Sequence, residues 1–205
     1  MAEKTATTLS LIGGALCLDF VNTVEDYRSE SPYEYLTNFA DLASWGHHAG
    51  VLTSQLAQEL TETAAGRREE AARIYQCAFE LRSALYRVFA AQLISRKPRA
   101  DDLAMLNERL GEALSRGRLK PTEDHYVWYW KSEADDLVQI LYPIVRSAAD
   151  LLTSDRLARL SECVECGWLF IDMSKNRSRR WCSMGVCGNR AKARRHYQRK
   201  HDVES

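Results

Sequence analysis

The chain has 205 residues, of which 45% are hydrophobic and 27% charged, and its formal net charge is zero. That balance supports a packed core and excludes a globally disordered or uniformly basic chain. The neutral total conceals an asymmetry: residues 167–200 hold ten Lys/Arg against the single acid Asp172, a net +9, so the remainder carries −9.

The stretch "LSLIGGALCLDF" is apolar but holds two glycines, lacks a small-residue cleavage site and soon meets Asp19. This reads as a buried strand or the start of a helix, not a secretion leader. No run approaches the ~18 apolar residues of a membrane span, and the expected location is the cytoplasm. "GGALCLDFVNTV" (13–24) mixes β-formers with a helix start near Asp19. Asp19 and Asn22 are polar residues inside an apolar stretch; they either hold the first helix by hydrogen bonds or line a ligand pocket. Pro32 after Ser31 suits a first helical turn continued by Glu34 and Tyr35. "YLTNFADLASWGHHAG" places Leu36, Phe39, Leu42 and Ala43 on one face and ends near Gly50. A helix from a Thr53 or Ser54 cap to Gly66 follows. The strongest periodicity covers 67–95, with Ile74, Ala78, Leu81, Leu85 and Val88 in register and Pro98 just beyond. "ADDLAMLNERLGEALSRG" reads as a helix capped by Asp101 or Asp102 and stopped at Gly117.

Alternation in "HYVWYW" after the turn residues "KPTED" predicts a β-hairpin, whose Trp128, Tyr129 and Trp130 suit packing or a pocket wall. Ser132 opens a long helix, with a kink or break expected at Pro143. A short helix, "SDRLARLSE", then leads to Cys163. The reading is a mainly α N-terminal domain with a few short strands over 1–155, followed by a small zinc-ribbon or treble-clef module over 156–205.

Of six cysteines, Cys17 and Cys77 stand alone in apolar surroundings and read as buried small residues. Cys163, Cys166, Cys182 and Cys187 follow C-x2-C-x15-C-x4-C. Two such pairs bend the chain into knuckles that aim four thiolates at one ion, which closes a tetrahedral shell and suits one structural zinc. Disulfides require an oxidising compartment, and a catalytic zinc keeps an open position. A two-Cys, two-His site using His196 and His201 would put 29 residues between Cys166 and His196, against a usual spacing of about 12. Between the pairs, "WLFID" reads as a strand and "RRW" as its return, putting the metal at the base of that hairpin.

After Cys187, Gly188 and Asn189 allow a turn, with Asn189 capping the helix "RAKARRHYQRK". Lys192, Arg195 and Arg199 form one row, Arg190 and Arg194 a second, and Ala193 with Tyr197 a small packing face. Arg177, Arg179 and Arg180 add charge from the hairpin. Such a concentration of cations is the electrostatic footprint of phosphate binding. The alternatives are a solvated face, a dock on an acidic partner or on the first domain, and RNA binding.

The segment "CVECGWLFIDMSKNRSRRWCSMGVCGNRAKARRHYQRK" closely resembles the CGNR zinc finger, named for the tetrapeptide at Cys187, Gly188, Asn189 and Arg190. Upstream, "GGALCLDFVNTV" resembles the start of the ABATE-type domain that precedes such fingers. The resemblance covers nearly the whole chain. It implies a stress-induced bacterial transcription regulator, with one zinc on Cys163, Cys166, Cys182 and Cys187 and DNA as the finger's partner. The N-terminal domain is then expected to sense a small molecule, bind a protein or form oligomers. No P-loop, dinucleotide fingerprint, nucleophile elbow or HExxH is present, so catalysis is not expected.

Overall fold

The computed structural model describes residues 5–131 and 135–201. The first domain is built around a short helix, α1 (Leu16–Val21), whose Cys17, Leu18, Phe20 and Val21 are wholly enclosed. Burial drives the Cys17 thiol up to about 12, so this cysteine is an inert packing residue. Four further helices follow: α2 (Phe39–His48), α3 (Ser54–Gly66), α4 (Arg68–Leu93) and α5 (Ala100–Arg116). Their starts reflect local chemistry in two cases. The Asn38 side chain accepts from the Asp41 amide at 3.0 Å, and the Thr53 hydroxyl accepts from Leu56 at 3.2 Å.

Two elements depart from expectation in this half. Residues 31–36 do not form a helix. Instead the chain folds back on itself, with an isolated bridge between Val24 and Glu34, and Glu25 N–H bonded to the Tyr33 carbonyl. The cause is tertiary: Glu34 and the Thr23 hydroxyl (2.8 Å) both receive the guanidinium of Arg82, which is buried on α4. Paired in this way, a buried charge is tolerable; left alone it would not be. Nor does Asp102 cap α5. It turns to α4 and takes a bidentate ion pair from Arg87, with contacts at 2.6–3.1 Å.

The hairpin forms as predicted: β1 (Gly117–Pro121) pairs antiparallel with β2 (Tyr126–Trp130). Its start is pinched, since a Cβ at Gly117 would sit 2.8 Å from the Trp128 ring. The expected helix start at Ser132 lies outside the described residues. A 3-10 turn (Leu137–Ile140), capped by Asp136, runs into α6 (Leu141–Leu152). Pro143 therefore falls in the first turn of α6, where its missing N–H costs little.

The finger follows a 3-10 turn (Asp155–Arg159), and its sheet differs from the predicted one. The strand β4 (Leu169–Ile171) does not pair with "RRW". It pairs antiparallel with an upstream strand, β3 (Leu160–Glu162), in the register Leu160 to Ile171 and Glu162 to Leu169. The first cysteine pair is thus the turn of this hairpin. Leu169 and Ile171 belong to the same apolar core as Phe20, Trp45 and Leu85, whereas Trp168 and Phe170 face a second cluster containing the four cysteines. Period-two alternation sends β4 into both. Among the described residues, no helix is long and apolar enough to cross a membrane.

Candidate metal centre and basic helix

The Cys163 amide donates to the Trp168 carbonyl at 2.8 Å, and Gly167 N–H to the Cys163 carbonyl at 2.9 Å, closing the first knuckle. Gly167 sits at φ +75°, and a Cβ there would lie 2.9 Å from Cβ of Tyr27. Both the left-handed backbone and the close approach require glycine. The second knuckle is a π-type turn (Met184–Gly188) that passes directly into helix α7 (Asn189–His201). Asn189 is consequently not the N-cap. Its backbone is already helical, at φ −69° and ψ −40°, and its side-chain amide donates back to the Gly185 carbonyl at 3.0 Å.

The sulfurs of Cys163, Cys166, Cys182 and Cys187 all lie within 4.8 Å of one another, and all four residues are buried. Cys182 Sγ stands 3.6 Å from both Cys166 Sγ and Cys187 Sγ. A tetrahedral zinc with Zn–S bonds of ~2.3 Å separates its sulfurs by about 3.8 Å. The four cysteines therefore fit one structural zinc, and the separations are far too long for disulfides. Their protons belong to one unit. Hydrogen bonds from Cys166 and Cys182 favour the thiolate at Cys163 and drive its pKa well down, while the bond with Cys163 drives Cys166 up. His196 lies exposed on α7, away from this shell.

The centre is stitched to the first domain. Asn22, at the C-cap of α1 and 1% exposed, donates to the Leu169 carbonyl at 2.8 Å and accepts from the Leu169 amide at 2.9 Å. Tyr27 N–H donates to the Cys166 carbonyl at 2.9 Å, and the Trp168 indole donates to the Val24 carbonyl. The two residues considered for a ligand pocket thus have backbone partners instead. Asn22 clasps β4, and the Asp19 carboxylate accepts from Gly13 N–H at 2.7 Å. Burial raises the Asp19 carboxyl to about 6, against the pull of the Gly13 and Ile12 amides.

The cations fall into distinct environments. Arg179 is internal to the module: it bonds the Trp181 and Cys182 carbonyls and lies 4.3 Å over the Phe170 ring. Its own amide, with that of Ser174, is held by the Asp172 carboxylate, whose pKa the Ser174 bond lowers. Arg177 is exposed, bonded to the Ala158 carbonyl at 3.3 Å with φ at 50°, and Arg180 is exposed beside Trp181. On α7, Arg194 makes two 2.8 Å bonds to Glu165, a carboxylate buried between the first two cysteines. Arg190 faces Asp26 at 3.7 Å and Glu25 at 3.9 Å. Lys192, Arg195 and Arg199 are exposed and form no salt bridge among the described residues. The predicted packing face is displaced: Ala191 is the buried residue, while Ala193 is exposed and Tyr197 is 67% exposed. Sequence reasoning missed Glu165. Its signal was an acid between two cysteines, immediately before a strongly basic stretch.

A mainly helical chain with two small sheets among the described residues, the second of them part of a four-cysteine zinc finger, defines the class. The ABATE family model, described as "Putative stress-induced transcription regulator", matches residues 14–155, and the CGNR zinc finger model matches residues 159–200. The chain belongs to the ABATE family and ends in a CGNR zinc finger. No curated protein matches it.

Proposed function

We propose that the protein is a cytoplasmic DNA-binding transcription regulator in which zinc fixes α7 as the surface that meets the nucleic acid. The observation that carries this reading is the exposed Lys192, Arg195 and Arg199 row, free of salt bridges among the described residues. Seven residues of helix set these cations along about 10 Å, on an element of the kind that enters the ~12 Å major groove. Arg190 and Arg194, matched by acids, position the helix; Arg177 and Arg180 add charge from the preceding loop. Most of these contacts address phosphates and so carry affinity and orientation more than sequence choice. The helical domain supplies regulation, through a ligand, a protein or self-association, and no catalytic role is assigned.

A second reading, docking of the basic tail on an acidic surface, draws support from Arg190 beside Glu25 and Asp26. It accounts for the base of α7 and leaves the outer row free, so the two readings are compatible. The test is a mobility-shift titration of zinc-loaded protein over a salt series, with random DNA, RNA and an acidic protein as competitors. The combined Arg195→Ala and Arg199→Ala variant should weaken DNA binding and reduce the slope of log K against log salt by about 2, at about 0.9 per phosphate contact. Unchanged affinity and slope would overturn the assignment; preferential competition by RNA or by the acidic protein would transfer it to the alternatives.

A further inference from the structure

The helical domain holds a cleft of about 570 Å³ between the hairpin and α6, lined also by Leu16 of α1. Its volume lies within the 300–1,000 Å³ range of small-molecule sites. One wall is aromatic: Trp128 and Trp130 stack with planes 17° apart and centroids 6.0 Å apart, and Trp130 is braced by Tyr142 at 5.8 Å. Trp128 nevertheless remains 38% exposed.

The polar side chains of the cleft are two arginines, Arg146 and Arg156, one acid, Asp150, and the hydroxyls of Ser147 and Ser154. The guanidinium of Arg146 lies 4.2 Å over the Trp128 ring and is tethered to Asp150 at 2.9 Å, so its charge is matched. Arg156 also lines the cleft. It bonds the Gly14 carbonyl but forms no salt bridge among the described residues, so its charge is unmatched. Flat indole and guanidinium surfaces beside one uncompensated guanidinium complement a flat ring bearing a single negative charge.

We infer that this cleft binds a planar aromatic carboxylate, with its ring against the open side of the Trp128–Trp130 pair and the Arg146 guanidinium that covers Trp128, and its carboxylate on Arg156. The site is independent of what α7 touches, so its test stands apart from the DNA reading. Isothermal titration of the full zinc-loaded chain would use three matched probes: naphthalene-2-carboxylate, naphthalene-2-methanol and naphthalene-2-methylammonium. The carboxylate should bind at one per chain, the alcohol about tenfold more weakly or worse, and the ammonium not at all. Trp128→Ala and Arg156→Ala should each weaken the carboxylate about tenfold or more, and Arg156→Lys should restore part of the loss. Circular dichroism checks folding; should Trp128→Ala disturb the hairpin, the exposed Arg156 variants decide alone. Absence of carboxylate binding, equal binding of the alcohol, or indifference to Arg156→Ala would overturn the proposal.

Discussion

Replacing Asn22 by Ala removes the clasp between α1 and β4. The side chain is 1% exposed and Leu169 is fully enclosed, so water reaches neither end of the pair. The substitution strands one backbone N–H and one carbonyl that Asn22 now satisfies at 2.9 and 2.8 Å. An unsatisfied buried group costs about 1–3 kcal/mol, so two cost about 2–6 kcal/mol, and water entering the vacated space brings this towards about 2–5 kcal/mol. That is a large part of the ~5–15 kcal/mol available to a domain. Urea unfolding of zinc-loaded protein, followed by tryptophan fluorescence, should show the unfolding free energy fall by this amount, read as a lower midpoint at unchanged slope. Asn22→Asp separates the two bonds, since it still accepts from the Leu169 amide but, ionised, cannot donate to the carbonyl. A loss under about 0.5 kcal/mol for Asn22→Ala would refute the claim that this residue seals the sheet edge.

Three further outcomes can be measured. Cys182→Ser, or a strong chelator, should abolish cobalt–thiolate charge-transfer absorption in the metal-substituted protein and lower its helix content, and acidification should release zinc because the ligands must be thiolates. Arg194→Ala should cost about 1–2 kcal/mol, less than for a wholly buried pair because Arg194 is itself largely exposed, whereas Arg195→Ala should change stability by under about 0.5 kcal/mol while weakening DNA binding. The third concerns Asp19, whose folded pKa of about 6 lies above its ordinary 3.8. The folded state therefore binds more protons between these values, so stability falls as pH rises from about 4 to about 6 and levels off above. Asp19→Asn should remove this slope and gain of the order of 2 kcal/mol at pH 7; melting curves with the same pH dependence in both proteins would contradict it.

What could be read from the sequence was what acts locally. Thr53 and Gly66 bracket α3, the 3-4 spacing of Ala78, Leu81, Leu85 and Val88 marks the buried face of α4, and "KPTED" marks the turn between β1 and β2. The four cysteines were legible because metal geometry demands close pairs, whatever surrounds them. Several of the failures share a cause: a distant partner outweighed a local signal. Residues 31–36 have the residues for a first helical turn but serve Arg82 on α4. Asp102 has the chemistry of a cap but is occupied by Arg87. "RRW" could pair with "WLFID", but β3 takes that edge, and the Arg180 carbonyl instead accepts from Val164. Asn22 was legible as a residue with a hydrogen-bonding or pocket role, but not as the clasp of β4, because its partner lies 147 positions away.

That separation also bears on how the chain is made. The contacts of Asn22, and the places of Leu169 and Ile171 in the main core, cannot form until a segment 147 positions further along has left the ribosome. At roughly 5–20 residues per second, the wait between synthesis of α1 and arrival of its partner strand is of the order of 7–30 s. For that interval α1 lacks one of its walls and the nascent helices depend on one another alone, or on a chaperone. The finger is thus the closing piece of the core, and a message truncated before it would yield a first domain with an open seam.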